Sequence, residues 1–138
     1  MDKKKKSMLQ QDYFIRILEE FAKALSLFML NKKDLGHKQE EILKLYDSYV
    51  GDNIFYHTAS MDDIMDSFTR FPEEERLDRM EMLAELYYAE SYLKSGPARD
   101  MLLENAHKLF IFIDTHSHTL SFQRQQRIMQ IEKEIGKK

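Results

Sequence analysis

Glu104 and His107 stand three residues apart in Glu104-Asn105-Ala106-His107. On a helix this spacing puts a carboxylate and an imidazole on one face, as in the Glu-x-x-His pairs of di-iron four-helix bundles. Such a centre needs a second pair and two further glutamates. Glu81, Glu85 and Glu90 offer oxygens on the preceding segment, but the nearest second pair, Asp34 with His37, has aspartate and falls at a helix start. A solvated glutamate beside a boundary histidine is the simpler reading. Asp114-Thr115-His116-Ser117-His118 is the other candidate. Histidines at i and i+2 share a face in extended chain and can then hold zinc or nickel. His107 is the only further histidine nearby, and a polar helix–helix connection explains the segment as well. The chain has no cysteine, which removes disulfides, thiolate nucleophiles and Cys-based zinc sites.

Other catalytic chemistry finds little footing. There is no Gly-x-Ser-x-Gly elbow, and the four glycines are isolated rather than gathered into a phosphate-binding loop. Glu81 and Glu85 share a helix face, as exposed acidic rows commonly do. His57 stands alone beside Tyr56 and reads as packed or exposed. No catalytic residue and no cofactor are therefore expected. Tyr46, Tyr49, Tyr87, Tyr88 and Tyr92 admit a binding reading, since helical hairpin folds hold peptides with aromatics flanked by charge. Tyr88 and Tyr92, four apart, should project together, with Tyr87 turned to the core. The competing reading places all five in or at the edge of the core.

These side chains must be positioned by helices. Two prolines and four glycines leave few breaks, and nine methionines with many Leu, Glu and Lys favour helix. The first helix is expected from near Met8 to about Leu30. Phe14, Phe21 and Phe28 repeat every seven residues, with Leu18 and Leu25 between them. Ile15, Ala22 and Met29 lie on one flank, Ile17 and Ala24 on the other. So wide an apolar arc must be buried in a core or against a partner. Asp34–Val50 reads as a second helix and 54–59 as a packed connection. Ser60-Met61-Asp62-Asp63 resembles a capping box opening a short third helix. Pro72 followed by Glu73, Glu74 and Glu75 starts a fourth, running to about Lys94 with Pro72 at its first position. Ser95-Gly96-Pro97 ends it and opens a fifth, forcing an antiparallel hairpin. Leu109–Ile113 could be a buried strand, but the upstream pattern decides for helix. Asp114–Thr119 reads as a loop, and Ser121 as the cap of a last helix carrying Phe122, Ile128, Ile131 and Ile135.

At 138 residues the chain is expected to form one domain over 8–138, preceded by a disordered basic tail over 1–7. Hydrophobic residues make up 43% and charged residues 33%, which fits a soluble protein. The formal net charge is −3 although Lys3–Lys6 are all basic, so the body is acidic. An acidic body argues against nucleic acid as a partner. No apolar run is long enough to span a bilayer, and no apolar segment follows the basic start to make a signal peptide. A cytoplasmic protein is the expectation. Arg16 and Lys23 are balanced by Glu19 and Glu20, so the first helix lacks the cationic face of a membrane-surface helix.

The Leu83–Ile113 hairpin resembles tetratricopeptide units, with Ala84 and Ala106 among Leu83, Tyr87 and Leu109. Its spacing departs from the repeat of about 34 residues, and no second copy follows. Gln11-Asp12-Tyr13-Phe14-Ile15-Arg16-Ile17-Leu18, Ala84-Glu85-Leu86-Tyr87-Tyr88 and Ser121-Phe122-Gln123-Arg124-Gln125-Gln126-Arg127-Ile128 are similar to an uncharacterised bacterial family. That resemblance implies a tetratricopeptide-like helical fold with no assigned activity, and no catalytic residues. The expectation is an all-α domain of five or six helices in antiparallel hairpins, serving as a non-enzymatic interaction module. Phe14, Phe21, Phe28, Tyr88 and Tyr92 are its candidate contact residues, toward an unknown protein partner or a second copy docked through the first helix. The alternative is a metal-binding protein or metal-dependent enzyme using Glu104, His107, His116 and His118.

Overall fold

A computed structural model describes residues 3–136, with side chains from Gln10 onward. The described chain is all helix, turn and loop. Seven α-helices follow one another: α1 (Lys3–Leu30), α2 (Leu35–Tyr49), α3 (Asn53–Thr58), α4 (Met61–Ser67), α5 (Glu73–Ser91), α6 (Gly96–His116) and α7 (Phe122–Gly136), with a 3-10 turn at Phe68–Arg70. The expected basic tail falls at the edge of this description: Met1, Asp2 and the side chains of Lys3–Lys6 lie outside the described residues.

Local chemistry sets the boundaries. Asp34 caps α2 by accepting from the His37 amide at 2.9 Å. Ser60 caps α4 by accepting from the Asp63 amide at 3.1 Å. Ser121 accepts from the Arg124 amide at 3.2 Å and starts α7. The count exceeds the expected five or six because 53–58, read as a connection, forms the extra helix α3. Its signal was the cap Asp52, which accepts from the Ile54 amide at 3.0 Å. Pro72 sits at the N-cap of α5, one position ahead of its expected place. α6 runs on through His116, shortening the expected loop; the apolar run Leu109–Ile113 is helical throughout.

Gly51 has a left-handed φ of 142° where α2 turns into α3. Its amide donates to the Tyr46 carbonyl at 2.8 Å, closing the end of α2. A Cβ here would come within 3.3 Å of the Tyr56 ring. Gly51→Ala is expected to destabilise the protein by about 1–2 kcal/mol through that backbone geometry, measured by urea unfolding.

α5 is the axis of the molecule. It pairs most extensively with α6, across the connection of residues 92–95, and also touches α1, α2 and the 3-10 turn. α6 carries α7 on another side, and α1 packs on α2. Every residue from Met82 through Ser91 is buried. Leu83, Leu86 and Tyr87 meet Leu102, Leu103, Ala106, Leu109 and Phe110 in one continuous core. The phenylalanine stripe of α1 joins it: Phe14, Phe21 and Phe28 are 6%, 5% and 4% exposed. Phe21 meets Tyr49 of α2 edge-to-face at 5.4 Å. Arg79 lies over the rings of Phe14 and Phe71 at 4.8 and 4.1 Å, so a cation closes the outer end of that stripe.

Candidate functional site

The stripe uses only part of the apolar arc of α1. Ile15, Ala22 and Met29 remain exposed, and Leu18 and Leu25 are half-buried. Residues 15, 18, 22, 25 and 29 alternate in steps of three and four, the spacing of a helix-packing seam. Leu18, Ala22, Leu25 and Met29 of this seam, together with Phe21, line one wall of a groove of about 600 Å³. Met82, Asp78, Glu81 and Glu85 of α5 make the floor, and Ser121, Gln123 and Arg127 the facing wall at the start of α7.

Two arginines frame the acidic floor. Arg124 is 4% exposed. Its guanidinium donates to Asp114 at 3.0 Å, to the Thr119 carbonyl at 3.0 Å and to Glu81 at 3.4 Å. It thus ties the end of α6, the following loop and α5 into one unit. Arg127 donates through Nε to both oxygens of Glu85 at 3.2 Å and lies 4.8 Å over the Tyr88 ring. Burial raises the carboxyl pKa of Glu81 and Glu85, against the pull of Arg124 on the first and Arg127 on the second. Partial desolvation raises that of Asp78 too, although the residue is exposed at the groove edge; the charge of Arg124 opposes it. Asp78 has no hydrogen-bond or ion-pair partner among the described residues. The groove therefore offers an apolar wall beside carboxylates whose charge is incompletely answered.

A second polar constellation is enclosed. Glu90, 3% exposed on α5, accepts through one oxygen from Tyr46 Oη and from His57 Nε2, each at 2.7 Å. His57 Nδ1 faces the Asn53 carbonyl at 2.6 Å. Both imidazole nitrogens thus point at acceptors, which calls for two ring protons and a charged imidazolium. Burial, the largest influence on His57, lowers its pKa; the hydrogen bonds to Glu90 and Asn53 and the charge of Glu90 outweigh it, and the net shift is upward. Burial and then the charge of Glu90 push the Tyr46 pKa well up, so Tyr46 stays a neutral donor. Tyr87 donates to the Tyr56 carbonyl beside this cluster. The arrangement clamps α2 and α3 to α5.

The residues singled out from sequence are dispersed. Among the interaction candidates, Phe14, Phe21, Phe28 and Tyr88 are buried within the chain; only Tyr92 is open, at 64% exposure. Tyr88 and Tyr92 do project together, with hydroxyls 2.8 Å apart and rings edge-to-face at 5.4 Å, and the Tyr88 hydroxyl also reaches Gln130 at 2.9 Å. Glu104 is exposed on α6, while His107 of the same helix pairs with Glu132 of α7 at 3.1 Å. His116 ends α6, stacked on Phe112 at 4.0 Å, with Nδ1 donating to the Phe112 carbonyl. His118 lies beyond the helix, and both line a separate recess of about 790 Å³ rimmed by Asp62, Asp66, Glu73 and Glu74. Among the described residues no group of three His, Asp or Glu side chains converges to hold a metal ion, and no helix is long and apolar enough to cross a membrane. The sequence does not reveal Arg124 as a structural centre, and it offers Glu90 only as an oxygen donor to a metal, not as the buried acceptor of Tyr46 and His57. The available signal was an arginine and a glutamate placed among apolar helix positions. No family model, curated protein or solved structure matches the chain.

Proposed function

We propose that this protein is a non-catalytic, tetratricopeptide-like helical interaction module whose partner docks in the groove between α1 and the start of α7. The observation that carries the reading is the second seam of α1, which the fold leaves uncovered beside the buried phenylalanines. A monomer core consumes one apolar stripe; the parallel stripe at Ile15, Ala22 and Met29 stays outside the core formed by the described residues. Contiguous apolar surface set beside charge is the usual form of a protein-docking face. The same face accommodates a second copy of the chain or a different protein.

A photoreactive p-benzoylphenylalanine at position 29 tests this in cells. Crosslinking to one discrete protein is expected from position 29 and not from position 44, at the exposed Lys44 of α2. Ala22→Arg, which fills the groove from an exposed site, should abolish that crosslink without unfolding the chain. Equal crosslinking from both positions, or indifference to Ala22→Arg, would refute the docking site.

A further inference from the structure

We infer that the groove receives the basic face of an amphipathic helix belonging to another protein, an inference that rests on the docking reading above. Two features of the groove run in parallel. The α1 wall presents Leu18, Ala22, Leu25 and Met29 at the three-and-four spacing that interlocks with a second helix. The α5 floor presents Asp78, Glu81 and Glu85, spread over about two helical turns or roughly 10 Å. A helix lying along the seam would set its apolar side on α1 and its polar side over this carboxylate row. Arg127 answers Glu85, and Arg124 answers Glu81 only at 3.4 Å while shared with Asp114 and Thr119. Asp78 has no hydrogen-bond or ion-pair partner among the described residues, only the nearby charge of Arg124. Lysines or arginines on the incoming helix would complete the row. The raised carboxyl pKa values of Asp78, Glu81 and Glu85 reflect the same incomplete solvation, which a bound cation relieves.

A second copy fits less well. The stretch of its α1 that bears the seam, residues 15–29, carries Arg16 and Lys23 against Glu19 and Glu20, and so brings no net positive charge to an acidic floor; Lys3–Lys6 precede that stretch in the sequence. Its own α1 is also fastened into its own core through Phe14, Phe21 and Phe28.

Two synthetic helical peptides of roughly 18 residues, about five turns, test the inference. They share a leucine face and differ only in polar residues, all lysine in one and all glutamate in the other. Binding to the full chain is read by fluorescence anisotropy and mapped by amide NMR shifts. The lysine peptide should bind, shifting Leu18, Ala22, Leu25, Met29 and Met82, while the glutamate peptide should not. The double variant Asp78→Asn, Glu81→Gln should weaken the lysine peptide about fivefold, the loss expected of two partly exposed ion pairs, with melting temperature confirming that it folds. Equal binding of both peptides at the groove would overturn the basic-helix inference and leave docking standing. Concentration-dependent shifts of the same amides without peptide would overturn it in favour of a second copy. Shifts confined to the recess at His116 and His118, or none at all, would overturn the inference and count against the groove itself.

Discussion

Phe21→Glu is expected to abolish the fold, whereas Met29→Glu, two turns along the same helix, should leave it intact. Phe21 is 5% exposed and packed against Tyr49; Met29 is 44% exposed. Removing a buried phenylalanine side chain alone costs about 3–5 kcal/mol. An ionised carboxylate in its place adds several more, because it must give up its hydration among the apolar side chains of the core. The sum reaches the whole stability of an ordinary domain, about 5–15 kcal/mol. Met29→Glu adds a charge at a solvated groove wall, where surface changes stay within about 0.5 kcal/mol. Circular dichroism and sedimentation velocity check both. A folded Phe21→Glu monomer would show that the stripe is not core; an unfolded Met29→Glu would show that the second seam is already covered.

These two residues mark how far the sequence was legible. Periodicity exposed the width of the apolar arc of α1, and with it both seams, because residue spacing maps directly onto helix azimuth. It could not tell which seam faces the core, since that depends on where α2 and α5 lie. Helix ends capped by Asp34, Ser60 and Ser121 were readable because capping is a local reaction of a side chain with the next few amides. α3 is not legible because six residues give no measurable period and its cap Asp52 directly follows the turn glycine Gly51. α5 was the hardest element to read for face: a helix buried on all sides from Met82 to Ser91 has no polar side to contrast with its apolar one. Its buried Glu85 and Glu90 look like an exposed acidic row until the partners from α7, α2 and α3 are in place. Arg124 was invisible as a centre for the same reason. Its three acceptors come from α6, a loop and α5, and sequence distance hides their convergence. Tyr88 and Tyr92 were correctly paired by spacing alone, but the burial of Tyr88 comes from the core cluster and its tie to Gln130, 42 residues away.

Glu90→Ala should be among the most damaging polar substitutions in the chain, costing about 3–5 kcal/mol in urea unfolding, the range seen when one partner of a buried charged pair is removed. It empties a buried site and leaves Tyr46 Oη without its acceptor and the His57 imidazolium without its counter-charge. Glu90→Gln separates the two effects. Its amide oxygen, in place of the carboxylate oxygen that both groups share, can still accept from Tyr46 and from Nε2–H of a neutral His57, so the loss should fall to about 1–2 kcal/mol. The pH dependence then carries the distinction. His57 has its pKa raised in the folded state, so the stability it supplies is fully present below its unfolded value of 6.5 and is lost as pH rises through the folded one. Above that point one ring nitrogen has no proton, and either Asn53 or Glu90 loses its donor. Asp78, Glu81 and Glu85, also raised, act in the same direction from lower pH. The parent protein should therefore lose stability on this account as pH rises above about 6.5 and through the raised folded-state pKa of His57. In Glu90→Gln the decline above pH 6.5 should flatten, because a neutral amide no longer favours the imidazolium. The His57 ring nitrogen shifts should show an imidazolium persisting to higher pH in the parent than in the variant. If the two titrate alike, the clamp on α2 and α3 is held by packing and by Tyr46, and the charge on His57 contributes nothing to it.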